Sequence, residues 1–144
     1  SPALAAPEQQ EISNDMHRCA ANAGPAIKVT VTGIRPGPGT IRVQSYRATE
    51  AEWLVKRRWI NRIETPARPG AMTFCVPLPA PGTYGIAVRH DVNGNGKTDI
   101  TRDGGAMSNN PSINIFNLGK PDYRKIGVTV GQGVTPITIN MRYM

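Results

Sequence analysis

The chain is poor in the residues from which most active sites are built. It has two histidines and two cysteines in 144 residues. No His or Cys stands near Cys19 or Cys75 at zinc-ligand spacing, which excludes a structural zinc site. Aromatic residues make up only 6% and form no RNP-like pattern, and no helix-turn-helix pattern accompanies the basic residues. No serine sits in a nucleophile-elbow sequence. No apolar run approaches the roughly 18–20 residues of a membrane-spanning helix, so such a helix is excluded. Acidic residues are scarce too, 10 against 17 Lys and Arg, leaving a net charge of +7.

What the chain has in excess is Gly and Pro, 15 and 13 residues. Together they are about a fifth of the sequence, against a usual share of about 12%. Such punctuation leaves no room for long helices. It excludes a helical bundle, a coiled coil and a Rossmann-type enzyme, and it favours short strands between turns. At 39% hydrophobic, the chain is lean but sufficient for one core.

Alternation locates the strands. Ile27, Val29 and Val31 alternate with Lys28, Thr30 and Thr32, and Ile41 and Val43 with Arg42 and Gln44. Met72, Phe74, Val76 and Leu78 share one face, so Cys75 points to the other. Tyr84, Ile86 and Val88 follow, then Ile126, Val128 and Val130, then Ile137, Ile139, Met141 and Tyr143. Thr49-Glu50-Ala51-Glu52 has the form of a capping box and predicts a short helix over about residues 50–58. Ile12 to Cys19 predicts a helical piece, and residues 91–112 a long polar loop. The expected architecture is all-β: an antiparallel, seven-stranded Greek-key sandwich with one short helix. Residues 1–25 form an N-terminal arm and residues 26–144 the sandwich domain.

Cys19 and Cys75 are 56 positions apart. An isolated pair fits one disulfide formed in an oxidising compartment, and two reduced cytosolic thiols are the alternative. The opening SPALAAPEQQ carries Ala3-Leu4-Ala5, the small-x-small form of a signal-peptidase site. The expected location is therefore periplasmic or secreted. The cations are mostly dispersed. Lys56-Arg57-Arg58 is the one basic triplet, while Arg35, Arg42, Arg47, Arg62, Arg68, Arg124 and Arg142 are scattered. A solvated surface accounts for them; attraction to an anionic envelope component is the sharper reading. Nucleic acid is not an expected partner.

His90 to Asp99 reads HDVNGNGKTD. Asp91, Asn93, Asn95, Lys97 and Asp99 occupy positions 1, 3, 5, 7 and 9 of an EF-hand-like loop, with Gly96 at position 6. Position 7 ligates through its backbone carbonyl, so Lys97 does not disqualify it. Position 12 is Arg102 where a bidentate Glu is needed, with Asp103 one residue later. The set describes at most a weak calcium site. Asn-Gly pairs also make tight turns without an ion, since both residues tolerate positive φ. In that reading Asp91 accepts hydrogen bonds from backbone amides.

A resemblance enters here. The run Pro81-Gly82-Thr83-Tyr84-Gly85-Ile86-Ala87-Val88-Arg89-His90-Asp91-Val92-Asn93-Gly94-Asn95-Gly96-Lys97-Thr98-Asp99, followed by Ser108-Asn109-Asn110, resembles the bacterial domain-of-unknown-function family 2141. That family carries a PGTYA-type strand, an HDxNxNGxxD loop, an aromatic-SNN element and a last strand ending near an aromatic. The resemblance covers residues 27–143. It implies an exported protein with a prealbumin-like sandwich and supplies no activity. Gly104-Gly105-Ala106-Met107 stands where the family has a carboxylate-Gly-aromatic sequence.

The leading expectation is a non-catalytic binding or interaction module, envelope-associated, presenting the 91–117 loop. Ser108, Asn109, Asn110 and Asn114 would offer donors and acceptors to a glycan or peptide, or else satisfy turns. One alternative is a calcium-stabilised structural protein. Another is a hydrolase using His90, Asp91 and Ser108, although adjacent strand residues such as His90 and Asp91 face opposite ways.

Overall fold

The computed structural model describes residues 9–20, 23–92, 104–111 and 121–143. Among them, ten strands form two sheets. They are β1 (Gln10–Glu11), β2 (Ala26–Ile34), β3 (Thr40–Arg47), β4 (Asn61–Pro66), β5 (Gly70–Pro77), β6 (Gly82–Asp91), β7 (Gly104–Met107), β8 (Val128–Val130), β9 (Val134–Asn140) and β10 (Arg142–Tyr143). The larger sheet runs β1-β4-β3-β6-β7-β10, with β8 paired to β6 beyond the end of β7. The smaller sheet runs β5-β2-β9.

The alternating residues meet between the sheets. Ile27, Val29 and Val31 of β2, Phe74 and Val76 of β5 and Ile139 of β9 pack against Ile41, Val43, Ile63, Ile86, Val88 and Val130 of the larger sheet. These side chains are almost fully buried, at roughly 1.5–3 kcal/mol of transfer free energy each for the larger ones. The all-β layered architecture is as expected. Its strand directions are not. β1 runs parallel to β4 and β9 runs parallel to β2, so both sheets are mixed rather than antiparallel. Alternation specifies which face a residue takes, not which neighbour its strand chooses.

Four further expectations are corrected. The 50–58 segment is a series of turns. Thr49 C=O accepts from Glu52 N–H at 3.2 Å and Trp53 N–H at 2.9 Å, but no further helical turn follows, because Leu54 (φ 57°) and Arg57 (φ 68°) turn left-handed. Glu52 pairs with Arg47 at 3.9 Å, and Trp53 is drawn under the chain instead of along a helix. Among the described residues the one α-helical turn is α1 (Tyr123–Ile126), capped by the Asp122 carboxylate on Arg124 N–H, so Ile126 belongs to α1 and not to the strand with Val128 and Val130. Only Met16–Cys19 of the expected 12–19 piece is helical, as a 3-10 turn capped by Asp15. The 91–112 loop is interrupted by β7, which lies between β6 and β10. Gly104 is there because Tyr143 packs over it; a Cβ would sit 2.4 Å from the ring.

The N-terminal arm closes the β4/β5 side of the sandwich. β1 adds to the edge of β4, and the 3-10 turn packs on β5 and β2. Cys19 and Cys75 are joined, with Cα atoms 5.8 Å apart.

Candidate functional site

The HD…SNN residues fall into two groups at different places on β6. His90 lies at the end of β6, 1% exposed. Its Nδ1 is 2.7 Å from Tyr143 Oη and its Nε2 3.1 Å from the Pro38 carbonyl. Tyr143 Oη accepts from Arg35 N–H at 3.1 Å, and its own proton then goes to His90 Nδ1. That leaves Nε2 as the protonated nitrogen, donating to Pro38. Burial pushes the Tyr143 phenol above its usual range, opposed by the Arg35 bond and charge. Thus His90 ties the 33–39 turn and β10 to the end of β6. Gly39, at φ 95°, lies so close to β6 that a Cβ would sit 1.9 Å from the Asp91 carbonyl oxygen. Asp91 is buried at 2% exposed and engaged with other groups.

Ser108 lies elsewhere. Its N–H donates to Ile86 C=O at 2.9 Å, its Oγ accepts from Ile86 N–H at 3.1 Å, and its hydroxyl donates to Ile126 C=O at 2.5 Å. It fills the seam on β6 between β7, paired at 87–90, and β8, paired at 82–84. Ile86 and His90 are four strand residues apart, roughly 13 Å at 3.3 Å each. The structure therefore does not bring His90 and Ser108 together as a hydrolytic pair.

Asn109 and Asn110 turn the chain with φ of 65° and 48°. Asn109 Nδ2 donates to Lys125 C=O (3.2 Å) and Gly127 C=O (2.9 Å), carbonyls at the end of α1. Asn110 Nδ2 donates to Thr138 C=O at 3.2 Å and its Oδ1 accepts from Asn140 N–H at 2.8 Å. Ser108-Asn109-Asn110 thus ties β6, α1 and β9 together, and these amides satisfy turns and an edge. Asn93, Asn95, Lys97, Asp99, Asp103 and Asn114 lie outside the described residues. Among the described residues no group of three or more metal-ligating side chains is present.

A second cluster escaped sequence reasoning because it exists only once strands are paired. On the outer face of the larger sheet, Arg42 of β3 stands opposite Arg89 of β6 on one side and Glu64 of β4 on the other. Arg62 stands opposite Gln44 one step along. Arg62 Nε donates to Gln44 Oε1 at 2.7 Å, Gln44 Nε2 donates to Tyr46 Oη at 2.7 Å, and the Arg62 guanidinium lies 4.2 Å from the Trp59 ring centre. Burial, and then the charge of Arg42, pulls the Arg62 pKa down. Burial pushes the Tyr46 phenol up, against the Gln44 bond and the nearby arginines. The Lys56-Arg57-Arg58 triplet, by contrast, is simply exposed.

The family of uncharacterized proteins conserved in bacteria, DUF2141, matches residues 29–138. The chain belongs to it. No curated protein and no solved structure matches. The DUF2141 match takes in most of β2 through most of β9, including the seam serine and both turn asparagines. The arm with Cys19, and Tyr143 on β10, lie outside it.

One prediction concerns the buried acid that heads the DUF2141 loop. Asp91→Ala is expected to cost about 1–3 kcal/mol in calcium-free urea unfolding, because its partners lose an acceptor inside the protein. Calcium at millimolar concentration should raise the wild-type Tm by a small amount at most, and not that of the variant. An unchanged unfolding midpoint for Asp91→Ala removes the structural role. An unshifted wild-type melt removes the ion.

Proposed function

We propose that the protein is an exported, non-catalytic interaction module of the bacterial envelope, with its binding loops hung from a rigid sandwich. What carries this reading is the way the chemistry-bearing side chains are engaged. Both nitrogens of His90 and both hydrogen-bonding roles of the Ser108 hydroxyl are occupied by groups of the fold itself. A nucleophile needs a base within hydrogen-bond reach, and Ser108 has backbone there instead. The SNN bracket then serves as the mount for the segments on either side of it, in the manner of loops on a scaffold. The joined pair Cys19–Cys75 supports export, since such a pair persists in oxidising compartments.

The test is a thiol trap in intact cells that make the protein from its own gene. After acid quenching, neither cysteine should react with a maleimide until reductant is added, and the protein should fractionate with the envelope or medium. Two reactive thiols would sink the export half. An esterase or peptidase activity lost in a well-folded Ser108→Ala variant would sink the non-catalytic half.

A further inference from the structure

We propose that the turn carrying Lys56, Arg57 and Arg58 docks the protein on the anionic headgroups of a phospholipid bilayer. This surface is separate from the loops on the SNN bracket, and the proposal stands without them.

The connection between β3 and β4 places it. The chain leaves β3 at Arg47, opposite Tyr84 near the start of β6, whereas the HD loop leaves β6 at Asp91, opposite Thr40. The basic turn and the root of that loop are therefore at opposite ends of the larger sheet. The turn is tied to the N-terminal arm. Gln9 N–H donates to Trp59 C=O at 3.0 Å, the Gln9 side chain donates to Arg57 C=O at 2.5 Å, and Arg58 N–H donates to Val55 C=O at 3.0 Å. Arg57 turns left-handed between them, at φ 68°. Three consecutive side chains consequently all face solvent, where a strand would turn the middle one inward. With the backbone preset, only side-chain freedom is lost on docking.

The three cations are free for an external anion. Among the described residues no ion pair or side-chain hydrogen bond engages any of them. Glu52 is taken by Arg47 at 3.9 Å and Glu11 by Arg62 at 3.8 Å. The net charge of the whole sequence, +7, adds a long-range attraction to the same kind of surface.

The surroundings select the partner. A single-stranded nucleic acid needs free aromatic faces to stack on. Trp59, the aromatic beside the triplet, is half-buried and carries the Arg62 guanidinium over its ring at 4.2 Å. A folded protein partner needs an apolar centre to its interface, and Met16 is the one exposed large hydrophobic residue among the described residues. A bilayer needs neither. It offers a field of phosphate charges to a compact cationic turn, as for the basic clusters that bind anionic leaflets. Each Lys or Arg near such a surface is worth about fivefold in affinity, so three give about a hundredfold. That is a reversible attachment rather than an anchor.

The test is sedimentation of the full chain with mixed phosphatidylglycerol and phosphatidylcholine vesicles, with pure phosphatidylcholine as blank. Binding is expected to the mixed vesicles alone, and should fall about tenfold or more as salt is raised from about 0.05 to about 0.5 M. Lys56→Gln/Arg57→Gln/Arg58→Gln protein should bind about a hundredfold more weakly. Lys28→Gln/Arg68→Gln/Lys125→Gln protein loses the same charge from three scattered, exposed positions and should bind less than about fivefold more weakly. In the wild type, a lipid spin-labelled at its headgroup should broaden the NMR amide signals of residues 56–59 and spare Thr40 and His90 at the far end of the sheet. That readout needs no variant. Equal binding to phosphatidylcholine, equal losses in the two triple variants, or uniform broadening overturns the docking surface. Tighter binding to duplex DNA or soluble polyphosphate than to vesicles, at matched phosphate, assigns a different polyanion and overturns the bilayer.

Discussion

Cys19→Ala/Cys75→Ala protein is expected to be less stable than wild type by about 4 kcal/mol, the chain-entropy value for a closed loop of this length. The two cysteines are 56 positions apart. For a chain of this size that is a fall in Tm of roughly 8–16 °C. The loss is not confined to the unfolded state. The bridge adds to the attachments of the arm's described residues, which include β1 against β4, Ile12 N–H on Arg62 C=O, the Asn14 side chain on β5 and the packing of the 3-10 turn on β5 and β2. Without it, the edges of β4 and β5 open together, and open edges recruit other strands. Urea unfolding gives the first number. Hydrogen exchange at Ile12 and Cys75 amides, in protein whose core remains protected, reports the arm. A stability change under about 1 kcal/mol, or unchanged protection of both amides, contradicts the assignment.

The arm's contact with β5 has a counterpart at the other side of the smaller sheet. Asn14 Nδ2 donates to Thr73 C=O at 2.9 Å and its Oδ1 accepts from Cys75 N–H at 2.9 Å. Asn110 makes the same pair of bonds to Thr138 and Asn140 of β9. In each case one amide bridges the C=O of residue i and the N–H of residue i+2. That is the bonding one residue of a parallel neighbour would supply. Both outer edges of β5-β2-β9 are thereby answered by a side chain.

Those brackets explain what could be read in advance and what could not. The inward faces were legible, because Ile27, Val29 and Val31 or Tyr84, Ile86 and Val88 alternate whatever strand lies next to them. The cysteine pair was legible because no other pairing exists. Strand order was not, since period two is silent about neighbours. Thr49-Glu50-Ala51-Glu52 misled because a capping signal is worth about 1 kcal/mol, less than burying Trp53. The asparagines of SNN looked like surface donors, yet their partners lie 16 to 30 residues away in sequence. The arginine rung needs three strand pairings at once before Arg42, Arg89 and Arg142 share a line.

Trp53→Ala should be among the most damaging single substitutions, at about 3–5 kcal/mol. Trp53 is 1% exposed and joins Tyr46, Met107 and Ile126 in a second cluster on the outer face of the larger sheet. Its ring meets Tyr46 edge-on at 5.4 Å, and its Nε1–H donates to Pro121 C=O at 2.9 Å. Gly85 is the floor beneath it. A methyl there would lie 2.5 Å from Ile126 Cδ1 and 2.7 Å from Trp53 Cζ3. Gly85→Ala alone should therefore cost about 1–3 kcal/mol by overpacking. The two substitutions share one volume, so their costs should not add. In the Trp53→Ala background the indole is gone and the methyl fills part of its cavity. Ile126 still opposes it, but the Gly85→Ala penalty should shrink by about 1 kcal/mol or more in a urea double-mutant cycle. Additive costs would mean that Gly85 is needed for its backbone rather than for the space it leaves to Trp53.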